Sequence, residues 1–107
     1  LTIALMDIDK KQSKKIIIAY EPVWAIGASE PMKASQMHEM TIFIRKVLWE
    51  KYGKPGLAVP ILYGGASLNG DDAVHMALES EVNGFLLGRA STDPEKLSDL
   101  FSALSKV

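Results

Sequence analysis

Apolar and polar residues alternate along the chain in three similar blocks. Each block opens with a short apolar run rich in β-branched or aromatic residues, at positions 16–20, 59–63 and 84–87. Such runs are typical of strands that are covered on both faces. In the stretch after each run, apolar residues recur every three or four positions, as on one face of a helix. Three strand–helix blocks predict an α/β fold with a parallel sheet and right-handed crossovers.

Local signals set the bounds of the predicted helices, and apolar stripes mark their inner faces. The boundary residues are Ser35, Gly53 and Pro55 for the first helix, Asn69 or Asp71 for the second, and Asp93 with Pro94 for the third. The stripes are Met37, Met40, Thr41, Ile44, Val47 and Leu48, then Val74, Ala77 and Leu78, and finally Leu97, Leu100, Phe101 and Leu104.

The segment before the first block has a different character. Residues 1–6 resemble the end of a helix, without an initiator Met or a cap, and residues 7–15 form a polar connection. We therefore expect a helix end and connection over 1–14, three βα units over 15–107, and a segment boundary upstream. Three strands leave two unpaired backbone edges, so either the rest of the sheet lies elsewhere or chains assemble to supply it.

Composition excludes several classes of protein. The 107 residues are 48% hydrophobic and 23% charged, with a formal net charge of -1 and no cysteine. These values fit a globular chain and give no reason to expect nucleic acid or an anionic membrane as a partner. The absence of cysteine excludes disulfides and thiolate metal sites, and it is compatible with a cytoplasmic protein. No apolar run approaches the ~20 residues that a membrane helix needs.

The candidate chemistry lies where the predicted strands end. The three loops are residues 21–27, 64–67 and 88–91, and parallel strands place them at one edge of the sheet. Glycines in two of the loops let backbone N–H groups approach an anion. The sequence therefore predicts a phosphate site next to the carboxylate of Glu21, which without this context would be read as a surface carboxylate.

Three motifs then point to a family. Residues 19–27 (Ala-Tyr-Glu-Pro-Val-Trp-Ala-Ile-Gly), 63–65 (Tyr-Gly-Gly) and 84–91 (Gly-Phe-Leu-Leu-Gly-Arg-Ala-Ser) resemble the triosephosphate isomerase family. The resemblance implies that the chain supplies the sixth, seventh and eighth βα units of a (β/α)8 TIM barrel. It implies interconversion of dihydroxyacetone phosphate and glyceraldehyde 3-phosphate without a cofactor or metal, in a cytoplasmic homodimer.

The resemblance also implies a role for each site residue. Glu21 is the base, and residues 23–32 form a lid over the substrate. Tyr63 holds the closed lid through its hydroxyl. The lid residues and the residue before them are Pro22, Val23, Trp24, Ala25 and Ile26. The backbone phosphate ligands are Gly27, Ala66, Gly88 and Arg89. Ala66 stands where the family usually has Ser, Arg89 where it has Gly, and 30–32 reads Glu-Pro-Met at the far hinge.

The family's other catalytic groups have no counterpart here. Its Asn and Lys after the first strand and its electrophilic His after the fourth are missing, while His38 and His75 fall within predicted helices. We therefore expect the isolated chain to be inactive, because the base has no partner to stabilise the enediolate. The alternatives are a non-catalytic partial barrel that self-assembles through its open edges and a module that binds phosphate without turnover.

Overall fold

The described residues form a three-stranded parallel sheet with helices packed against it. The structure is a computed structural model that describes residues 1–25, 32–65 and 68–107. The strands are β1 (Ile18–Tyr20), β2 (Ile61–Gly64) and β3 (Gly84–Leu86), and their spatial order follows the sequence. The helices are α1 (Ala34–Tyr52), α2 (Gly70–Ser80) and α3 (Pro94–Leu104). Each strand is followed by one helix, so the predicted strand–helix alternation is present three times.

Short 3₁₀ turns join these elements. They are Gln12–Lys15, Val23–Ala25, Lys54–Ala58 and Arg89–Thr92. The second strand begins two residues later than predicted. The Val59 amide closes the preceding 3₁₀ turn by donating to the Gly56 carbonyl at 3.4 Å. Pro60 has no N–H to donate, although its carbonyl accepts from the Ile18 amide at 2.9 Å and so starts the pairing with β1.

Two of the three predicted helix starts are correct. The Asn69 side chain accepts from the Asp72 amide at 2.8 Å, and Asp93 accepts from the amides of residues 95 and 96. The predicted cap at Ser35 is wrong, because the Met37 amide already donates to the Lys33 carbonyl at 3.0 Å. The helix therefore begins directly after Lys33. It ends as predicted at Gly53, where a φ of 69° favours glycine.

The core lies between the sheet and the inner faces of the helices. Tyr63, Ile61, Met37, Leu48 and Met76 are almost completely buried there. The stripe predicted for α1 is the observed buried face, with Met40 and Val47 at its margin. The predicted α2 stripe is displaced, because the buried residues of α2 are Ala73, Met76 and Ser80. In α3, only Leu100 is fully buried and Phe101 is exposed.

The chain before β1 packs onto this core. Leu5 is buried, and the Tyr52 hydroxyl donates to the Ile8 carbonyl at 2.8 Å. Residues 2–7 form hydrogen-bonded turns, in which the Leu5 amide donates to the Leu1 carbonyl at 3.0 Å. The sequence predicts the end of a helix here, and the structure shows turns instead. A segment this short is marginal as a regular helix, since helix formation needs several consecutive turns to offset nucleation.

Arg45 of α1 forms hydrogen bonds with residues at the N-terminal ends of the strands. The Arg45 guanidinium donates to the carbonyls of Val59 and Gly56 and, at 2.8 Å, to Oδ1 of Asn83. The same Asn83 oxygen accepts from the Ile61 amide at 2.8 Å. Burial lowers the pKa of Arg45, an effect that the Glu81 carboxylate opposes. The bonds fasten α1 to the segments that precede β2 and β3, at the edge opposite the predicted site.

Candidate active site

The C-terminal ends of the three strands meet at one edge of the sheet. Tyr20 of β1 is in register with Tyr63 of β2, and Gly64 of β2 is in register with Leu86 of β3. Glu21 follows directly after β1. The parallel ladder therefore brings the candidate base, the first glycine of the β2 loop and the end of β3 side by side, as the sequence predicts.

The side chain of Glu21 lies across the end of β2. A Cβ atom placed on Gly64 would be 2.7 Å from Cγ of Glu21, 3.2 Å from its Cδ and 3.4 Å from Cβ of Leu86. A carbon at 2.7 Å is well inside van der Waals contact. Gly64 thus leaves the space that the Glu21 side chain occupies. In the sequence, the only sign of this contact is a glycine at a strand end. Such a glycine can form a turn or can leave space for another side chain, and the sequence does not distinguish the two.

The carboxylate of Glu21 is open to solvent. The residue is exposed, and within the described parts of the chain its carboxylate forms no hydrogen bond or ion pair. Leu86, which is 46% exposed, lies on the β3 side of Gly64. An exposed carboxylate at the strand ends can accept a proton from a molecule bound at that edge.

The segment predicted as a lid leaves the sheet next to Glu21. Pro22 is buried, whereas Val23 and Trp24 are 85% and 61% exposed in the 3₁₀ turn that ends at Ala25. Two predicted site residues of this segment, Ile26 and Gly27, lie outside the described residues. The buried Pro22 therefore precedes a turn in which the large aromatic side chain of Trp24 is exposed.

The far end of the same segment is fastened to β2. The Met32 amide donates to the Tyr63 hydroxyl at 3.0 Å. Both residues are buried, with exposed fractions of 7% and 1%. A contact of this kind is what the role predicted for Tyr63 requires. Sequence reasoning did not identify Met32 as the partner, because a backbone donor leaves no signal in the side-chain pattern.

The predicted phosphate ligands of β3 lie at the same edge. Gly88 and Arg89 are exposed, and a Cβ atom on Gly88 would meet no atom of the described residues within 4 Å. Two side-chain bonds stabilise the turn that carries them. The Ser91 hydroxyl donates to the Gly88 carbonyl at 2.6 Å, and the Thr92 hydroxyl donates to the Arg89 carbonyl at 2.7 Å. The other predicted ligand of a glycine-rich loop, Ala66, is not among the described residues.

Both histidines lie in helices, and each is close to a glutamate. His38 Nε2 is 3.5 Å from Glu81 Oε2, and His75 Nε2 is 3.4 Å from Glu79 Oε2. The described ranges contain no cluster of three or more His, Cys, Asp or Glu residues arranged to hold a metal ion. In the same ranges, none of the helices combines the length and the hydropathy needed to cross a membrane.

Fold and site together define a parallel α/β unit that carries a carboxylate and glycine-rich loops at its strand ends. The family model described as triosephosphate isomerase matches residues 1–104, and the chain belongs to the triosephosphate isomerase family. This membership confirms the family resemblance and identifies the sheet and helices as part of a TIM-barrel fold. The predicted roles of individual site residues stay predictions.

Curated relatives show how much of the family the chain represents. It is 41% identical over 88 residues to triosephosphate isomerase of Idiomarina loihiensis, covering 82% of this chain and 34% of the relative. It is 41% identical over 101 residues to the Porphyromonas gingivalis enzyme, covering 94% and 40%. It is 37% identical over 89 residues to the enzyme of Moorella thermoacetica, covering 83% of this chain and 35% of the relative. The chain thus spans between a third and two fifths of the length of these relatives.

Proposed function

We propose that this chain supplies the catalytic base, the lid and part of the phosphate site of a triosephosphate isomerase. The observation that carries the proposal is the placement of the Glu21 side chain across Gly64, at the edge formed by the strand ends. The names of the relatives support the choice of reaction, namely interconversion of dihydroxyacetone phosphate and glyceraldehyde 3-phosphate.

In this proposal, Glu21 moves a proton between adjacent carbons. The carboxylate takes a proton from the carbon next to the carbonyl, which gives an enediolate, and the resulting carboxylic acid delivers a proton to the former carbonyl carbon. A second proton moves from the hydroxyl oxygen to the former carbonyl oxygen. One carboxylate suffices for both steps, because it is regenerated in each direction. The segment between Val23 and Met32 closes over the intermediate, and the Tyr63 hydroxyl fastens its end at the Met32 amide. Exclusion of water protects the enediolate from loss of phosphate.

The isolated chain lacks part of this machinery. Proton abstraction by a carboxylate needs a group that stabilises the developing oxyanion. The two histidines lie in helices, where each is near a glutamate, and not at the strand ends. We therefore propose that the missing groups are supplied by the part of the family's sequence that this chain does not match. In this proposal the complete enzyme is a cytoplasmic homodimer, and the 107-residue chain alone has no turnover.

The test uses a fusion protein, which we call the joined protein. It consists of the part of the Porphyromonas gingivalis enzyme that precedes the matched region, followed by residues 1–107 of this chain. A coupled assay should detect isomerisation of glyceraldehyde 3-phosphate. Glu21→Gln should lower kcat by roughly 10²–10⁴-fold, which is the usual contribution of a general base. Glu39→Gln, on the exposed face of α1, is the matched control and should leave kcat unchanged. Equal activity of the Glu21 and Glu39 variants would contradict the proposal, as would substantial turnover by the isolated chain.

A second function is favoured by the sheet edges. Strands β1 and β3 are the outer strands of the described sheet, and the apolar residues Ile17 and Leu86 near them are 62% and 46% exposed. Unpaired edges of this kind promote pairing with another chain. If the chain is a self-assembling partial barrel, sedimentation of the purified chain will show concentration-dependent oligomers. A monomer at all concentrations excludes this alternative.

A further inference from the structure

Half of the basic residues lie at the end of the sheet opposite the candidate site. Residues 10–15 and 51–54 hold six of the 12 lysine and arginine residues and none of the 13 aspartate and glutamate residues. The first range precedes β1 and the second precedes β2, so both lead into the N-terminal ends of the parallel strands. The formal net charge of -1 therefore conceals a local excess of positive charge.

We call these six lysines the basic patch. All of them are exposed, and they are Lys10, Lys11, Lys14, Lys15, Lys51 and Lys54. Within the described parts of the chain, none of their ammonium groups forms an ion pair with a carboxylate. Asp9 precedes the patch, but its Oδ1 accepts from the Gln12 amide at 2.9 Å. The patch therefore attracts anionic groups from outside the chain.

A cleft with a largely apolar lining opens within the patch. It lies between the 3₁₀ turns Gln12–Lys15 and Lys54–Ala58, and its volume is about 450 Å³. The lining residues are Ser13, Lys14, Lys54, Pro55, Ala58 and Pro60. The Ser13 hydroxyl is already bonded, because it donates to the Lys10 carbonyl at 2.6 Å. Two lysines thus flank a cleft in which the prolines and the alanine offer apolar contact.

Hydrogen bonds fix both walls of the cleft. In the first turn, the Asp9 amide donates to Oε1 of Gln12 at 3.0 Å, and the Gln12 amide donates back to Asp9. In the second turn, the Arg45 guanidinium donates to the carbonyls of Gly56 and Val59. A cleft that is formed before its ligand arrives loses less entropy on binding.

We propose that the basic patch and its cleft bind an acidic peptide segment of a partner protein. One apolar side chain of the segment fills the cleft, and the carboxylates on either side of it pair with Lys14 and Lys54. An apolar anchor in a pocket with a charged rim is a common arrangement at protein interfaces. Duplex DNA matches the charge but presents phosphates to the cleft, and a flat membrane surface does not enter a recess between two turns.

Fluorescence anisotropy of labelled peptides tests this proposal on the 107-residue chain. The leucine probe has two glutamates on each side of a central leucine. In the serine probe a serine replaces the leucine, and in the glutamine probe four glutamines replace the glutamates. The leucine probe should bind saturably, and the serine probe about tenfold or more weakly, because burial of the leucine side chain is lost. Added salt should weaken binding of the leucine probe more than binding of the glutamine probe.

Variants of the chain locate the contact. Lys14→Gln combined with Lys54→Gln should weaken binding of the leucine probe about five- to thirtyfold, as expected for loss of two ion pairs at a surface. Lys96→Gln changes an exposed lysine of α3 that does not line the cleft, so this matched control should bind as the unchanged chain does. Ala58→Glu places a carboxylate at the cleft and should abolish binding with an unchanged circular dichroism spectrum, because Ala58 is exposed.

Three results would overturn the proposal. They are equal binding of the serine and leucine probes, equal binding by the double lysine variant and Lys96→Gln, and tighter binding of duplex DNA or phosphatidylserine vesicles than of the leucine probe at the same ionic strength. The joined protein should also bind the leucine probe, and loss of binding there would overturn the proposal by showing that the preceding part of the enzyme covers the cleft. Glu21→Gln should bind the probe normally, so this surface is tested independently of the proposed function.

Discussion

The contact between Glu21 and Gly64 leads to a quantitative prediction for Gly64→Ala. The φ angle of Gly64 is not positive, so the backbone itself accepts alanine. The new Cβ atom would lie 2.7 Å from Cγ of Glu21 and 3.4 Å from Cβ of Leu86. The second distance is ordinary contact, whereas the first requires the Glu21 side chain to move.

The size of that movement follows from the distances. Carbon atoms pack at about 3.5–4.0 Å, so Cγ of Glu21 has to withdraw by roughly 1 Å. Glu21 is exposed, so its side chain has room to move and we expect the free energy of unfolding to change by less than about 1 kcal/mol. A displacement of about 1 Å at the reacting group can lower a rate about 10²-fold. Gly64→Ala should therefore lower kcat without unfolding the protein.

The assay is the isomerase activity of the joined protein together with its urea denaturation midpoint. Gly64→Ala should lower kcat about 10²-fold and leave KM within a few-fold, because the phosphate contacts are unchanged. Gly84→Ala is the matched control. Gly84 is the first residue of β3, at the sheet edge opposite the site, and the new Cβ atom there would be 3.0 Å from Cδ2 of Leu62. The reasoning is refuted if Gly64→Ala keeps kcat within twofold, if Gly84→Ala loses as much activity, or if Gly64→Ala unfolds the protein.

Three further predictions concern the stability of the fold. Tyr63→Phe removes the acceptor of the buried Met32 amide, so urea denaturation should show a loss of about 1–3 kcal/mol, and an unchanged midpoint would contradict the contact. Arg45→Lys keeps a positive charge but removes the planar group whose two nitrogens donate to Val59 and Asn83. The same measurement should therefore show that the free energy of unfolding falls by about 1–2 kcal/mol, a loss that added salt does not abolish. Burial and, to a smaller extent, the Asp9 carboxylate raise the pKa of Tyr52 above its ordinary value, so its contribution to stability is complete below pH 10 and is lost as the pH rises through the folded-state pKa. Tyr52→Phe should accordingly reduce the loss of stability above pH 10, and an identical pH dependence in both proteins would refute this assignment.

Features that depend on neighbouring residues were predictable from the sequence. The caps at Asn69 and Asp93 and the stop at Gly53 each involve residues within four positions, so the signal is local. The strand–helix order also followed from hydrophobic periodicity. Together with parallel pairing, this order placed the loops at residues 21 and 64 and the turn at residue 88 along one edge.

Features that depend on distant residues were not predictable. The contact of Glu21 with Gly64 and the hydrogen bond from Met32 to Tyr63 join different elements, and no local pattern encodes their geometry. The start of α1 after Lys33 was missed because lysine is not a typical capping residue, and the Lys33 amide instead donates to Oε1 of Gln36 at 3.4 Å. The shift of the buried stripe of α2 to Ala73 and Met76 reflects packing of that helix between α1 and α3.

The central claim is that Glu21 moves the substrate proton, and isotope exchange tests it most directly. In D₂O, the joined protein should convert dihydroxyacetone phosphate to glyceraldehyde 3-phosphate that carries solvent deuterium at C2, because a carboxylate exchanges its proton during the lifetime of the enediolate. Glu21→Gln should lose both conversion and deuterium incorporation, and Glu39→Gln should retain both. Deuterium incorporation at the unchanged rate in Glu21→Gln would contradict the account.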